Sequence, residues 1–439
     1  MRLMPVLRRC VVRCILLCGA GPACPDGCNV DVLTSTPHGY GAYKGDAMTS
    51  CWPVAPLGAL VDCLDVRRVP LNRAQRAQRP GTVPYHGASG ITGYVDQALF
   101  DGSLVLLGED GAPFLDPNRD VAFFHEGPLW AGNHVHVLRP RAGMDGRFLA
   151  HALNTVCYAA HVDGTTRRKL VRARMNSLPV PCPPLYRQKA IAAMLDHAMQ
   201  RIDDQMVELA RQAALAGEWI RAEIQHAIGY DGGAWPPSVP SSHVIRPLAA
   251  MFDITGGGTP ATTRPENWGG DVTWITPADL SDGPPAWITS GARSLSAIGL
   301  ESCRAVVVPA GALVVSTRAP VGRIGIGRGP LSVSQGCKAL VRRTEDVDPC
   351  YAALFLHAAG PALRRRAGGS VFAELDTATL ASLELCLPPL PTQREIAQTV
   401  WRKQDRHASQ VRARERVAAH LGEYRVALRV AAINGQLTC

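Results

Sequence analysis

The side chains best suited to chemistry in this chain are basic and hydrogen-bonding rather than catalytic. Arg167-Arg168-Lys169 follows Gly164, and Arg364-Arg365-Arg366 precedes Gly369, the glycine at the matching point of the second half. Arg318, Arg323 and Arg328 lie between these two clusters. A guanidinium is a planar fork that can bond a phosphate or a guanine edge through two atoms at once, so this set suits a polyanion. A solvated basic face is the plain alternative, and charge alone does not separate the two. Catalytic patterns are missing. There is no GxxxxGK[ST] phosphate loop, no HExxH, no paired CxxC, and no FxGxG with [DN]PP[YF]. Gly87-Ala88-Ser89-Gly90 is not GxSxG, which leaves a hydrolase elbow unsupported. Gly256-Gly257-Gly258 lacks the spacing of a dinucleotide loop and reads as a tight turn. His134 and His136 would share a strand face, but no third ligand lies near them in sequence, so no metal site is expected.

The elements that must position these residues are repeated. Gly164 to Ile228 aligns without a gap on Gly369 to Ile433, at a constant offset of 205 residues. The matches include Ser177/Ser382, Pro183-Pro184-Leu185/Pro388-Pro389-Leu390, Gln188/Gln393, Ile191-Ala192/Ile396-Ala397 and Ala227-Ile228/Ala432-Ile433. A duplicated element needs an architecture that uses it twice. Each double proline stops one element and opens a helix of about 40 residues, on the order of 60 Å long. The first helix carries the stripe Ile191, Leu195, Met199, Ile202, Met206, Leu209, Ala213, Ala216 and Ile220, and from Ile202 its spacing is that of a coiled coil. The second stripe is weaker: Ile396, Val400, Val411, Ala418, Leu421 and Leu428, with Gln404, His407 and Arg414 where the first copy has Met199, Ile202 and Leu209. The second helix is therefore expected to rely on the first and on another chain.

The stretches between the copies read as globular, β-rich and different from each other. Expected strands are Val83-Pro84-Tyr85, Leu104–Leu107, Val121–Phe124 and His134–Leu138 in the first, with a helix over Phe148 to Tyr158. In the second they are Val272–Ile275, Ala305–Val308 and Leu313–Ser316, with a short helix over Tyr351 to His357. The fold class is thus α+β, with two β-rich, mixed α/β domains separated by two long antiparallel helices that form a coiled coil about a pseudo-twofold axis. The expected division is 1–47 a disordered or mis-called extension with Met48 as the start, 48–182 the first domain, 183–229 the first spacer helix and 230–245 a linker. The second domain takes 246–387, the second spacer helix 388–434 and a tail 435–439. A net charge of +9 and a pI near 9.0 favour an anionic partner. Five of the 14 cysteines fall between Cys10 and Cys28, and most others stand alone, as reduced thiols of a cytoplasmic protein do. No stretch is long and apolar enough to suggest a membrane span.

Set side by side, these segments resemble the specificity subunit of Type I restriction-modification systems. Leu387-Pro388-Pro389-Leu390-Pro391-Thr392-Gln393 and Cys182-Pro183-Pro184-Leu185-Tyr186-Arg187-Gln188 are similar to the family's "PPLxEQ" helix start, with Thr392 and Arg187 where an acid is usual. Gly256-Gly257-Gly258-Thr259-Pro260 and Trp268 to Leu280 resemble the opening of a target recognition domain. Ala319-Pro320-Val321-Gly322-Arg323 and Ser334-Gln335-Gly336 fit its middle, and Val83 to Val95 fits another subclass of the same domain. The resemblance covers roughly residues 52–434.

The resemblance implies a subunit without catalytic residues that reads a bipartite, asymmetric target on double-stranded DNA. It also implies two methyltransferase (modification) subunits docked on the helices, with restriction subunits joined through them. No cofactor is then expected in this chain, with S-adenosylmethionine, ATP and Mg on the partners. Tyr85, Ser89, Thr259, Trp274, Thr276, Arg318 and Gln335 lie in or beside the family-like motifs and become candidate base contacts, with Trp274 as suited to a core. Arg167, Arg168, Lys169 and Arg323 join them as candidate DNA-binding residues. Gln188, Ile191, Gln393 and Ile396 mark the helix faces expected to dock partners. Two other classes stay open: a stand-alone or fragmentary nuclease or methyltransferase carrying these domains, and a coiled-coil adaptor.

Overall fold

The structure, a computed structural model, describes residues 50–164, 167–230, 242–303, 305–368 and 374–437. The expectations for 1–47 and for most of the 230–245 linker lie outside the described residues. The long helices are α2 (Leu185–Ile228) and α4 (Leu390–Ile433), 44 residues each. Pro184 and Pro389 take the N-cap positions, where a missing N–H costs no helical bond. Gly229, at φ 69°, closes α2 in the left-handed conformation that a side chain would resist.

The helices run antiparallel. Ile191, Leu195, Met199 and Ile202 share a core with Leu421, Leu428, Ala432 and Ile433. Ile220, Ile224 and Ile228 share another with Ala397, Val400 and Trp401. Each core also contains a globular domain, so each domain sits on the start of one helix and the end of the other. Between the cores, residues 203–219 and 402–420 include none that is buried. That rod rises about 27 Å from Ile202 to Ile220 at 1.5 Å per residue. Its polar stripe is partnered in part, with Gln404 Oε1, His407 Nε2 and one Arg414 nitrogen left without a hydrogen bond among the described residues. Gln404 donates to the Pro285 carbonyl, Arg414 donates to Gln212 at 3.2 Å, Lys403 pairs with Glu223, and His407 stacks on Trp219 with centroids 6.1 Å apart. Polar contacts inside a helix pair give up some stability and fix its register.

The domains are more alike than their sequences show. In the first, β1 (Val54–Pro56) pairs with β9 (Pro179–Pro181) beside the start of α2. A four-stranded sheet runs β2-β8-β5-β6, from Val61–Cys63, Val135–Pro140, Leu104–Gly108 and Ala122–His125. A three-stranded sheet runs β4-β3-β7, from Gly90–Val95, Val83–Gly87 and Trp130–Ala131. The second domain repeats this plan. Strand β10 (Val244–Pro247) pairs with β19 (Glu384–Leu387). The larger sheet is β11-β18-β15-β16, from Phe252–Gly256, Cys337–Arg342, Leu313–Ser316 and Ile324–Gly327, with β13 (Ala286–Ile288) added at its edge. The smaller is β14-β12-β17, from Arg293–Leu295, Trp268–Ile275 and Ser332–Val333. Val54-Ala55-Pro56-Leu57 therefore corresponds to Ile245-Arg246-Pro247-Leu248, and Leu57 and Leu248 donate to the equivalent carbonyls of Leu178 and Leu383. Strands β5, β15 and β16 are buried along their whole length, which explains runs such as Leu104–Leu107 without polar alternation. Against each larger sheet packs a helix, α1 (Gly146–Leu153) or α3 (Pro349–Ala358), N-capped by Asp145 or Asp348.

Two local expectations are corrected. Ala305–Val308 is not a strand; only Val308 forms a bridge, to Leu331, and Val306 and Val307 are exposed. An apolar run makes a strand only where a partner edge is free. The helix expected to reach Tyr158 stops at Leu153, because the Asn154 side chain turns to accept the Val121 and Ala122 amides.

Candidate nucleic-acid interface and the helix clamps

In the second domain the six residues singled out by sequence converge. Gly257 and Gly258 lie flat against β17 and residue 303, where an added Cβ would fall 1.8 Å from the Val333 oxygen and 2.2 Å from the Cys303 oxygen. This approach, rather than a tight turn, is what the glycine run serves. It delivers the Thr259 hydroxyl to the Gln335 side chain. Arg318 joins them through its backbone, whose N–H bonds the Gly336 carbonyl. Gln335 and Arg318 are exposed and Thr259 half-exposed, and the Arg318 guanidinium pairs with the exposed Glu374 at 3.1 Å, so these three side chains lie at the surface. The other three frame the surface. Trp274 is buried, donates to the Gly258 carbonyl at 3.0 Å and packs edge-on against Trp268, which Arg293 covers. Thr276 caps the 277–279 turn with Asp279. Arg323 is held by Asp282 and the Pro277 carbonyl. Trp274→Phe orphans one carbonyl and leaves a small cavity beside Trp268, so it is expected to cost about 2–3 kcal/mol of stability in a denaturant titration while leaving Gln335 and Arg318 in place.

The first domain gathers its candidates around the end of β5. Ser89 is exposed at the β3–β4 turn, and the neighbouring Ala88 carbonyl approaches Gly108. Arg167 pairs with Asp110 at 2.8 Å, Lys169 with Glu109 at 3.4 Å, and the Arg168 carbonyl accepts the Gly111 amide. Tyr85 is corrected to a framework residue: it is 4% exposed, its hydroxyl sits 3.3 Å from both backbone atoms of Leu71, and Arg76 covers its ring. Its place in β3 matches that of Trp274 in β12. Beside it, burial and then His125 push the His86 imidazole down to about 4. His134 and His136 do not converge. His134 faces Asp110, whereas His136 is buried against Asp65.

The two surfaces occupy equivalent places, and one acid–base pair is exchanged between them. The bridge Asp110↔Lys169 in the first domain corresponds to Arg318↔Glu374 in the second. An acid stands two residues beyond β5 where a base stands two residues beyond β15, each facing a partner of opposite charge.

The helix residues expected to dock partners are turned inward instead. Gln188 is buried, donates to the Gly143 and Pro183 carbonyls and accepts the Asp145 amide. Gln393 does the same with Asp346, Pro388 and Asp348. Ile191 is buried in the first core and Ile396 packs on the second. All four fasten helix to domain. A further clamp had no sequence signal. Arg429 bonds both oxygens of Asp120, at 2.7 and 3.2 Å, and Arg425 reaches Asp120 and Asp203. In the first helix the positions of Arg425 and Arg429 hold Ile220 and Ile224. Both domains pack apolar residues on the far helix, and the first adds this ion-pair clamp. The eight described cysteines are free thiols.

This architecture matches a known family. The family model for the Type I restriction modification DNA specificity domain matches residues 56–206 and 240–402, more than half of the chain. The chain belongs to that family. The specificity subunit of the MjaIX type I restriction enzyme of Methanocaldococcus jannaschii is 31% identical over 160 residues, 36% of this chain and 37% of that one. A putative type I specificity subunit of Haemophilus influenzae, S.HindORF215P, is 34% identical over 141 residues, 32% of this chain and 36% of that one. The chain thus spans about a third of the length of these curated relatives. A solved chain described under complex assembly and conformational transition of the type I R-M system shares the fold, with a TM-score of 0.63, 19% identity, and coverage of 88% of this chain and 98% of that one. No described helix is long and apolar enough to cross a membrane.

Proposed function

We propose that this chain is the DNA sequence-specificity subunit of a Type I restriction-modification complex. The observation that carries the reading is the pairing of one duplicated helix frame with two domains of one plan whose surface side chains differ. A pseudo-twofold frame fits the approximate dyad of duplex DNA, and unlike surfaces read unlike half-sites, so the target is bipartite and asymmetric. Two modification subunits dock on the helical frame, and restriction subunits join through them. Exposed apolar residues near both helix starts support docking there: Val54, Leu185 and Tyr186 on one side, Val244 and Ile245 on the other, with Val54 and Ile245 at matching positions. The chain itself is non-catalytic and cytoplasmic. S-adenosylmethionine, ATP and Mg belong to the partner subunits, and specificity comes from side-chain contacts to base edges over phosphate anchoring.

Arg318→Ala is the test. With its modification subunits present, the variant is expected to bind target duplex more weakly, to lose about one unit of the salt slope, and to converge with the parent as salt rises. Unchanged affinity at low salt overturns the contact. S-adenosylmethionine binding by the isolated chain would favour the enzyme alternative, and failure of the assembled complex to retain any duplex selectively would favour the adaptor.

A further inference from the structure

In both domains a strap of chain runs from the edge strand of the larger sheet to the smaller sheet, and aromatic side chains of the smaller sheet hold it. Between β11 and β12, Trp274 donates to the Gly258 carbonyl. Between β2 and β3, Trp130 donates to the Val69 carbonyl at 2.7 Å, and the Tyr85 hydroxyl meets Leu71. The second strap meets Gln335 through Thr259. The first meets Asn133 through Arg68, whose guanidinium donates to the Asn133 carbonyl at 3.4 Å. Asn133 and Gln335 are counterparts. The Gly132 amide bonds the His86 carbonyl as the Ser334 amide bonds that of Ile275, one residue after the matched Tyr85 and Trp274, and in each domain an exposed amide side chain follows directly.

We infer that the first strap, Val66 to Pro80, is a phosphate clamp for duplex DNA, with Arg67, Arg73 and Arg76 as its contacts, and that the second strap holds no such clamp. The inference rests on the DNA-reading assignment and deepens it. Val66 to Pro80 contains five arginines and no carboxylate, whereas Gly257 to Asn267 contains Arg264 and Glu266. Two of the five fasten the strap: Arg68 pairs with Glu109 and Asp65, and Arg79 pairs with Asp96 at 2.9 Å. The other three have no carboxylate within ion-pair reach among the described residues. They are ordered all the same. Arg76 rests over the Tyr85 ring at 4.6 Å, and Arg67 over Phe100 at 5.1 Å with one bond to the Leu99 carbonyl. Arg73 opens a short helix, Arg73–Ala77, that Asn72 and Gln75 cap reciprocally. Side chains fixed beforehand lose less entropy on binding, and a guanidinium lying on a ring keeps N–H donors for an anion. A plain solvated face mixes its signs, because like charges crowded together repel. A polyanion relieves that repulsion, and its regular phosphates meet several guanidiniums at once. Such contacts set position and leave base reading to the amide beside them.

The test uses the full chain with the proposed modification subunits and a duplex carrying the target motif. The triple change Arg67→Gln, Arg73→Gln and Arg76→Gln is expected to lower the slope of log affinity against log salt by about two to three units. The parent's advantage then shrinks by about ten- to fortyfold between about 50 and 200 mM salt, while the ratio of target to non-target affinity holds. Arg264→Gln, in the second strap, is expected to leave the slope as it is. If the parent selects its target and the triple variant keeps the parent's slope, the phosphate clamp falls and the DNA-reading assignment stands. If the parent selects no duplex, that assignment fails and the phosphate clamp with it. A second measurement needs no variant. In the unaltered complex, duplex is expected to slow phenylglyoxal modification of Arg67, Arg73 and Arg76, located by mass spectrometry, at least several-fold. Rates that duplex leaves unchanged at all three show a solvated face and overturn the inference.

Discussion

Asp120→Ala is expected to lower stability by about 3 kcal/mol, the cost of stranding a buried cation rather than the worth of an ion pair. Arg429 is 3% exposed and both its bonds go to Asp120, so removing the acid leaves a guanidinium in the core with no anion to meet it. Arg425 suffers less, because Asp203 remains at 2.9 Å. Chemical denaturation should show the loss, and hydrogen exchange should place it at the junction of the first domain with the end of α4. The double change Asp120→Leu with Arg429→Ile should recover most of it, since apolar replacement of a buried pair is often neutral. The molecule already uses isoleucine at the matching position, Ile224, which is fully buried in the second core. A variant pair no better than the single change would show that the contact does more than hold the junction.

Gln188→Ala is expected to cost about 2–3 kcal/mol, because it leaves one amide and two carbonyls without their buried partner. Gln188→Glu should be worse: a carboxylate would face the Gly143 and Pro183 oxygens, now 3.0 and 2.8 Å from the amide nitrogen. The same pair of changes at Gln393 should act alike, through the Asp346 and Pro388 carbonyls. Urea midpoints check both. If these glutamines served a docking face instead, alanine would leave the midpoint unchanged and weaken only assembly with the partner subunits.

Much of this frame was legible from residue spacing. The Pro-Pro starts, the apolar stripe through Ile191, Leu195, Met199 and Ile202, and the constant offset between copies are local patterns, and local patterns survive in one sequence. The shared plan of the two domains was hidden, because strand pairing preserves position and burial rather than identity: Tyr85 and Trp274 are equivalent, as are Asp110 and Arg318. Family-like motifs located the surfaces but could not separate Thr259, Gln335 and Arg318, whose side chains lie at the surface, from Trp274, Thr276 and Arg323, which hold the frame. That division depends on burial. The clamp of Arg429 on Asp120 and the pairing of His136 with Asp65 join residues far apart in the chain, with no periodicity to announce them. The polar interruption at Gln404, His407 and Arg414 looked like a weakness of the second helix, and its partners came from the first helix and a loop of the second domain.

The most direct test is the methylome of cells that carry this chain with the proposed modification subunits. The account expects a split, asymmetric motif that vanishes when the gene is deleted. Removing one heptad from each helix, 209–215 and 411–417, shortens the rod by about 10 Å, the rise of about three base pairs. Methylation at the original spacing should be lost, and any sites still modified should keep both half-sequences over a shorter gap. A single uninterrupted motif in the parent, or an unchanged motif after both deletions, would contradict the claim that the helix pair sets the distance between two readers.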